Sequence, residues 1–120
     1  MKWWSWINQN FEWMLLTLAT YRFAYRPNEI FLLKLSLVLT SVFVLKYTVG
    51  RERPNKKDTL SFPSGHSALA WFLAWEYNHP LIYLWACLVS YARVKEYYHW
   101  WSDVIFSIGL TYYINFFFER

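Results

Sequence analysis

An apolar stretch from residue 30 to residue 49 is the feature that most limits how this chain can fold. Its only polar positions are Lys34, Ser36, Thr40, Ser41, Lys46 and Thr48. A helix needs roughly 20 mainly apolar residues to cross the hydrocarbon core of a bilayer. The stretch therefore predicts a helix that spans a membrane.

The rest of the chain is also rich in apolar residues. Of its 120 residues, 57% are hydrophobic and 24% are aromatic, which is more apolar surface than a soluble domain of this size can bury. This length allows about four or five membrane helices and no separate soluble domain. We therefore predict a single membrane-embedded domain over residues 1–120. The lone cysteine, Cys87, lies in an apolar run and predicts packing, because it has no partner for a disulfide or metal site.

Residues 3–20 predict an amphipathic helix. Apolar and tryptophan side chains cover one side, and the other side carries polar residues at helical spacing, namely Ser5, Asn8, Gln9 and Glu12. Tryptophan suits the membrane surface because its ring is apolar while its N–H group favours water. We expect an interfacial helix within residues 1–21, with a short tilted span as the alternative. A polar break, 22–29, follows it.

The remaining segments are separated by proline, glycine and charge. Residues 50–63 contain prolines and six charged side chains and predict a surface loop. Helices are predicted over 64–77 and 81–98, joined by a turn at 78–80, and over 102–118. The predicted fold is an all-α integral-membrane bundle of about four transmembrane helices, preceded by the amphipathic interfacial helix.

The first group of candidate site residues follows the predicted span. Lys46 stands near its end, and Arg53 and Pro54 come seven and eight residues later. An ammonium group and a guanidinium group together suit a tetrahedral phosphate. A lysine at a helix end also often extends to the interface without binding a ligand, and that alternative stays open for this segment alone.

The second group begins a predicted helix after Pro63. Ser64 could donate its hydroxyl, Gly65 would let the backbone approach a ligand, and His66 could exchange a proton. The unpaired N–H groups of the first helical turn attract an anion. Ser64 could equally be an ordinary N-cap.

The third group is Arg93, His99 and Asp103, spaced six and then four residues apart. We expect His99 and Asp103 to share one helical face, where the carboxylate accepts the second N–H of the imidazole. That hydrogen bond would leave the other ring nitrogen as a nucleophile. A surface His–Asp pair without a catalytic role is the alternative.

Taken together, the three groups resemble the type 2 phosphatidic acid phosphatase family, whose signatures appear as KYTVGRERP, PSGH and RVKEYYHWWSD within residues 46–103. The resemblance implies that His99 attacks phosphorus, with His66 and Asp103 completing the catalytic set and no metal or other cofactor. It also implies phosphate binding by Lys46, Arg53, Ser64, Gly65 and Arg93. Ala92 stands where the family usually has serine, so one hydroxyl contact to phosphate is expected to be missing.

The function predicted from these residues is a membrane lipid phosphatase that works through a phosphohistidine intermediate. Its substrate would be a phosphomonoester or diphosphate on a lipid, of the phosphatidic acid, phosphatidylglycerophosphate, lipid A or undecaprenyl diphosphate class. The expected partners are this lipid and the bilayer, with no nucleic acid. Whether the chain forms a homodimer stays an open question. The alternatives are a lipid phosphotransferase with the same site and a non-enzymatic membrane protein that binds anionic lipids.

Charges beside the predicted span indicate an orientation in the cell inner (cytoplasmic) membrane. Arg22 and Arg26 precede the span, on the side opposite the 50–63 loop. Because we assign the cations of the loop to phosphate binding, we expect the two arginines in the cytoplasm. The active site would then face the periplasm or exterior. His79 lies at the opposite end of the helical hairpin, so we expect no catalytic role for it.

Overall fold

The computed structural model describes residues 2–26 and 28–118. These residues form five α-helices and no strand, which confirms the all-α prediction. The helices are α1 (Trp3–Tyr25), α2 (Glu29–Val49), α3 (Gly65–Tyr77), α4 (Pro80–Lys95) and α5 (Trp101–Phe118). The starts of α2 to α5 each lie within one residue of the predicted starts.

Local sequence signals determine where α2 and α3 begin and end. Asn28 and Ser64 cap the starts of α2 and α3, and each side chain accepts a backbone N–H from the first turn. Gly50 and Asn78 end the same two helices in the left-handed conformation, with φ values of 63° and 49°. Glycine and asparagine are the residues that adopt this conformation most readily.

Helix α3 lies at the centre of the bundle and packs against each of the other four helices. Ala68, Ala70 and Ala74 are fully buried along it. Small side chains allow neighbouring helices to approach closely, which is the usual way that helices associate in membranes. Phe72 and Leu73 are buried on the same helix and fill the space towards α2 and α5.

The helices alternate in direction, so that one end of the bundle collects the starts of α1, α3 and α5 and the ends of α2 and α4. Asn8 Nδ2 donates to Ala92 O at 3.0 Å, and Ser107 Oγ donates to Ser64 O at 2.9 Å. Lys46 Nζ donates to the carbonyl that precedes Ser64, at 2.7 Å. We call this the loop end, because residues 50–64 lie there, and the opposite end the far end.

Helix α1 is longer than the predicted interfacial helix. It continues to Tyr25 and packs along α4 and α3. Two of its polar residues have partners in the bundle, since Ser5 Oγ donates to Glu96 and Asn8 Nδ2 donates to Ala92 O on α4. Trp13 points outward and is 74% exposed. Of the predicted polar side, Ser5 and Asn8 therefore bond inside the bundle, whereas Gln9 and Glu12 are exposed. Ile7 and Phe11 of the apolar side are buried in the core.

The outer surface of the bundle is apolar, as Phe43 on α2, which is 63% exposed, and Ile105 on α5 illustrate. Contiguous apolar patches of this kind mark contact with lipid or protein. Among the described helices, α2 alone has the length and hydropathy of a membrane span. The predicted four-span bundle is thus not confirmed, because α3 has 13 residues and α4 has 16. Their lengths, about 20 and 24 Å, fall short of a bilayer core.

Candidate active site

The structure brings all of the predicted site residues to the loop end of the bundle. They are Lys46 near the end of α2, Arg53 in the loop, Ser64, Gly65 and His66 at the start of α3, Arg93 near the end of α4, His99 between α4 and α5, and Asp103 in the first turn of α5.

The turn after α4 determines where His99 lies. The helix ends at Lys95 and not at residue 98 as predicted. Tyr97 N–H donates to Val94 O and Tyr98 N–H donates to Arg93 O, both at 3.0 Å. These two bonds form a Schellman motif, in which the chain leaves a helix through a left-handed residue. Tyr97, with φ 63°, occupies the position that glycine usually takes, so the sequence contained no signal for this helix end.

The imidazole of His99 is almost fully buried and is held at both nitrogens. Its Nδ1 lies 2.7 Å from Ser61 O. Because a carbonyl oxygen can only accept, Nδ1 carries the proton and Nε2 has a free lone pair. Nε2 lies 3.4 Å from Arg53 Nη1 and 3.5 Å from Arg93 Nη2. The site therefore presents an unprotonated ring nitrogen between two guanidinium groups.

The environment keeps this imidazole neutral. Burial, followed by the positive charges of Arg93, Lys46 and Arg53, lowers the pKa of His99 from 6.5 to about 2. The hydrogen bond to Ser61 acts in the opposite direction but is the weaker influence. His99 therefore needs no deprotonation at physiological pH before it can act as a nucleophile.

Asp103 has other partners than the one predicted from the sequence. Its Oδ2 lies 3.9 Å from His99 Nδ1, and the N–H of that nitrogen goes to Ser61 O. The carboxylate instead accepts from Ser61 Oγ, from Trp100 N at 2.9 Å and from Arg51 Nη1 at 3.0 Å. The prediction failed because His99 precedes α5, so the two residues do not share a helical face. Asp103 holds the segment that in turn holds His99.

Lys46 fastens the loop to the end of α2. Its Nζ donates to Leu60 O at 2.8 Å and to Pro63 O at 2.7 Å. An ammonium group has three donors, so one N–H remains for a ligand. The lysine stem also lies next to Gly65. Lys46 is thus more than a lysine at the membrane surface, because it organises the loop that precedes α3.

Protein contacts hold the two guanidinium groups beside His99 in place. Arg53 Nε donates to Asp58 Oδ1 at 2.7 Å, and Arg53 Nη1 donates to Tyr98 O at 3.1 Å. Arg93 lies over the ring of Tyr98, 4.1 Å from its centroid, and its buried Nε has no partner among the described residues. These contacts orient both guanidinium groups while leaving N–H donors for an anion.

The start of α3 combines a cap with open donors. Ser64 Oγ accepts from Ser67 N at 3.3 Å, so Ser64 is the N-cap, and its hydroxyl proton remains available. A Cβ at Gly65 would meet its neighbours only at ordinary distances of 3.6 Å or more. Space alone does not require glycine at this position.

His66 lies between α3 and α1. Its ring centroid is 4.3 Å from that of Phe11, and its Nε2 is 3.6 Å from Glu12 Oε1. Burial, followed by the positive charges of Arg93, Lys46 and Arg53, lowers the pKa of His66, and the same three cations act on His99. The two histidines therefore belong to one electrostatic environment, and α1 contributes a carboxylate to it.

Ser61 and Glu12 were not predicted from the sequence, and Arg51 was predicted only as one of the cations of the 50–63 loop. Ser61 and Arg51 each lie two residues before a motif residue, which was the only available signal. Glu12 is the single carboxylate in residues 3–20, and nothing in the sequence connects it with His66.

Ala92 and Ser90 lie beside Arg93 on α4, and His79 lies at the start of the same helix. Ala92 is fully buried, and Ser90 Oγ accepts from Trp71 Nε1 at 3.0 Å, so Ser90 is bonded within the helices. His79 caps α4 by accepting from Leu81 N at 3.1 Å, at the far end of the bundle.

The fold and the site define an all-α protein with a cation-rich centre around a neutral, buried histidine. The chain belongs to the PAP2 superfamily, whose model matches residues 29–119. This membership confirms the resemblance to type 2 phosphatidic acid phosphatases and indicates phosphatase activity on a phosphorylated substrate. All of α1 and the residues between it and α2 precede the matched segment. No curated protein and no solved structure gives a significant match.

Proposed function

We propose that this protein is a membrane lipid phosphatase that hydrolyses a phosphomonoester or diphosphate through a phosphohistidine at His99. The geometry of that imidazole is the observation that carries the proposal. Ser61 O holds the proton on Nδ1, while Nε2 faces Arg53 and Arg93. A nucleophile for phosphorus needs such a lone pair, and the transferred group needs cations around its oxygens.

The first chemical step forms a P–N bond and breaks a P–O bond. Arg53, Arg93 and the free donor of Lys46 would hold the phosphate with its phosphorus next to Nε2 of His99. The lone pair of Nε2 attacks phosphorus, and the lipid oxygen leaves with the electron pair of its bond. His66 gives that oxygen a proton. The products are phosphohistidine and a lipid alcohol, or a lipid monophosphate when the substrate is a diphosphate.

The second step hydrolyses the intermediate. A water molecule gives a proton to His66 and attacks phosphorus, and the electrons of the P–N bond return to Nε2 of His99. Inorganic phosphate leaves, and both imidazoles and the cationic side chains are ready for another cycle.

The start of α3 supplies the remaining phosphate contacts in this proposal. Ser64 contributes its hydroxyl, and the backbone from Gly65 onward contributes N–H groups at the positive end of the helix dipole. Phosphoryl transfer depends chiefly on such positioning and charge stabilisation. We therefore propose a mechanism that uses side chains and backbone alone, and EDTA tests it directly.

A lipid phosphate is the proposed substrate because of where the cations lie. They are gathered at the ends of helices whose outer surfaces are apolar. A lipid would place its phosphate at that level and its chains along the bundle. Phosphatidic acid, phosphatidylglycerophosphate, lipid A and undecaprenyl diphosphate all satisfy this requirement.

We propose further that residues 1–120 act as one domain in the cytoplasmic membrane, crossing it more than once, with the site facing the periplasm or exterior. The orientation rests on positive charge at the far end. Arg22 is paired there with Glu76 inside the bundle, so the exposed Arg26 is the stronger support for it.

Phosphate release by the purified protein in detergent tests the proposed function. The substrates are a panel of lipid phosphates and polyprenyl diphosphates, with EDTA present. His99→Ala should reduce release to background and abolish an acid-labile phosphoenzyme. His79→Ala is the matched control, because it makes the same change at the far end and should retain wild-type turnover.

Other results would identify other functions. Phosphate transfer that requires a second lipid as acceptor would establish a phosphotransferase. Lipid binding without release, unchanged in His66→Ala and His99→Ala, would establish a non-enzymatic lipid-binding protein. Wild-type release by His99→Ala would exclude His99 as the nucleophile.

A further inference from the structure

A polar cavity lies at the far end of the bundle, opposite the candidate active site. Its volume is about 550 Å³, and its lining includes Arg22, Arg26, Asn28, Asn78 and Asn115. Helix α3, with 13 residues, leads from the candidate active site towards this cavity. The rise along the helix separates the two by about 18 Å. None of the predicted catalytic or phosphate-binding residues is among the described residues that line it.

The asparagines of this cavity use their carbonyl oxygens within the protein. Asn28 Oδ1 accepts a backbone N–H of α2 at 2.8 Å, and Asn115 Oδ1 accepts from Lys34 Nζ at 3.0 Å. Both donors can only donate, which fixes the orientation of the two amides. Asn78 Oδ1 accepts from Tyr83 Oη at 2.8 Å. The three amide NH₂ groups have no partner in the part of the chain that the structure describes.

The charges at this end are predominantly positive. Arg22 is 7% exposed, and it donates to Glu76 Oε2 at 2.9 Å and to Arg26 O at 2.8 Å. Its buried Nε lacks a partner among the described residues, and the second arginine of the lining, Arg26, is exposed. Glu76 also contacts Lys34. Among the described residues, the lining of the cavity therefore carries two cations, Arg22 and Arg26, and one carboxylate, Glu76.

We propose that this cavity is a second anion site, which binds a phosphate group at the end of the bundle opposite His99. The excess positive charge attracts an anion, and the unpaired N–H donors match phosphate oxygens. Trp75, Tyr83 and Tyr112 also line the cavity. Such aromatic side chains are typical of the membrane–water interface, where phospholipid headgroups lie. The phosphate could belong to a phospholipid headgroup or be a free ion, and in either case the site binds without chemistry.

Two probes distinguish the sources of the phosphate. Native mass spectrometry measures binding of phosphatidylglycerol, with phosphatidylcholine as the comparison lipid. Equilibrium dialysis measures binding of inorganic phosphate. Arg26→Gln removes a cation of the cavity. Asn115→Asp keeps the side-chain size and the contact to Lys34, but it replaces two N–H donors with a carboxylate.

We expect each cavity variant to weaken binding of at least one probe by about tenfold, the effect of losing one charge-assisted hydrogen bond. Lys95→Gln is the matched control, since it makes the same charge change as Arg26→Gln at an exposed position of the loop end. It should bind like the wild type. Preference for phosphatidylglycerol identifies a headgroup site, and binding of inorganic phosphate with no lipid preference identifies an ion site.

The candidate active site should also bind phosphate, so Arg53→Gln serves to separate the two components of binding. The component that Arg26→Gln removes should persist in Arg53→Gln. Circular dichroism checks that each variant keeps the wild-type helix content. Wild-type binding of both probes by the two folded cavity variants would overturn the proposal. That result would leave the His99 mechanism untouched, just as inactivity of the wild-type enzyme would leave the cavity site standing.

Discussion

His99 Nδ1 donates to the backbone carbonyl of Ser61 across 2.7 Å, and the hydroxyl of the same Ser61 donates to Asp103. One loop residue therefore connects the candidate nucleophile with the carboxylate that the sequence placed directly beside it. Because that carboxylate lies 3.9 Å from Nδ1, its effect on the imidazole passes mainly through Ser61. The carbonyl and the hydroxyl can be separated by substitution, since only the hydroxyl belongs to the side chain.

Ser61→Ala should retain the carbonyl that orients His99 and lose the bond to Asp103. We expect kcat to fall about fivefold with little change in KM, since one hydrogen bond is lost. Asp103→Asn should cost about tenfold to a hundredfold in kcat, because it also weakens the charged contact with Arg51. The double variant should resemble Asp103→Asn, because both changes act on one contact.

Steady-state phosphate release measures these effects. Ser36→Ala, at an exposed position of α2, is the matched control for Ser61→Ala and should keep wild-type kcat. Fully additive losses in the double variant would contradict the connection through Ser61.

Acid should destabilise the protein through His99. Its pKa is about 2 in the folded protein and returns to an ordinary value near 6.5 on unfolding. Between these values the unfolded chain binds a proton that the folded protein does not. The free energy of unfolding should therefore decrease as the pH falls below about 6.5, by about 1.4 kcal/mol per pH unit from this group.

The variant His99→Gln isolates that contribution, since glutamine does not titrate. Denaturant unfolding in detergent micelles at several pH values between 7 and 5 gives the slope for each protein. The free energy of unfolding should decrease more steeply with falling pH in the wild type than in His99→Gln. The difference in slope should correspond to at most one proton bound on unfolding. Equal slopes would mean that His99 is solvated in the folded state.

Glu12→Gln tests whether α1 contributes to catalysis. The carboxylate lies 3.6 Å from His66 Nε2, and its negative charge favours the protonated form of the imidazole, which the proposed mechanism requires. The amide keeps the size and removes the charge. We expect kcat at neutral pH to fall about threefold to tenfold, with recovery at lower pH, where His66 is protonated more easily.

The pH profile of kcat separates this role from a purely structural one, which would lower kcat equally at every pH. Glu29→Gln is the matched control, at an exposed position at the start of α2. A loss in Glu12→Gln that does not depend on pH would show that Glu12 only supports the packing of α1.

The positions of most helix starts and of the cation cluster could be predicted from the sequence, because strong local signals mark them. Asn28 and Ser64 are good caps, and Gly50 favours the left-handed residue that ends α2. Once these ends are known, helices of alternating direction must bring Lys46 and Arg93 to the same end of the bundle.

The orientation of α1 and the partner of His99 could not be predicted, for two physical reasons. An amphipathic pattern shows that a helix has two different sides, but not whether water or another helix meets the polar side. The pattern therefore could not distinguish Asn8, which bonds to α4, from Gln9, which is exposed. The His99 contact depends on the turn after α4, where Tyr97 adopts a conformation that its residue type disfavours.

That turn provides the last prediction. A left-handed conformation brings Cβ close to the backbone and costs about 1–2 kcal/mol for most residues other than glycine. Tyr97 is 65% exposed, so its side chain contributes little packing. Tyr97→Gly should therefore raise the free energy of unfolding by about 0.5–1 kcal/mol, after allowance for the greater freedom of glycine in the unfolded chain. Tyr97→Ala keeps Cβ and should show no such gain, and both variants should retain kcat because the backbone bonds that place His99 are unchanged. Denaturant unfolding with parallel activity assays measures this, and a Tyr97→Gly protein no more stable than Tyr97→Ala would show that α4 does not end through a left-handed residue 97.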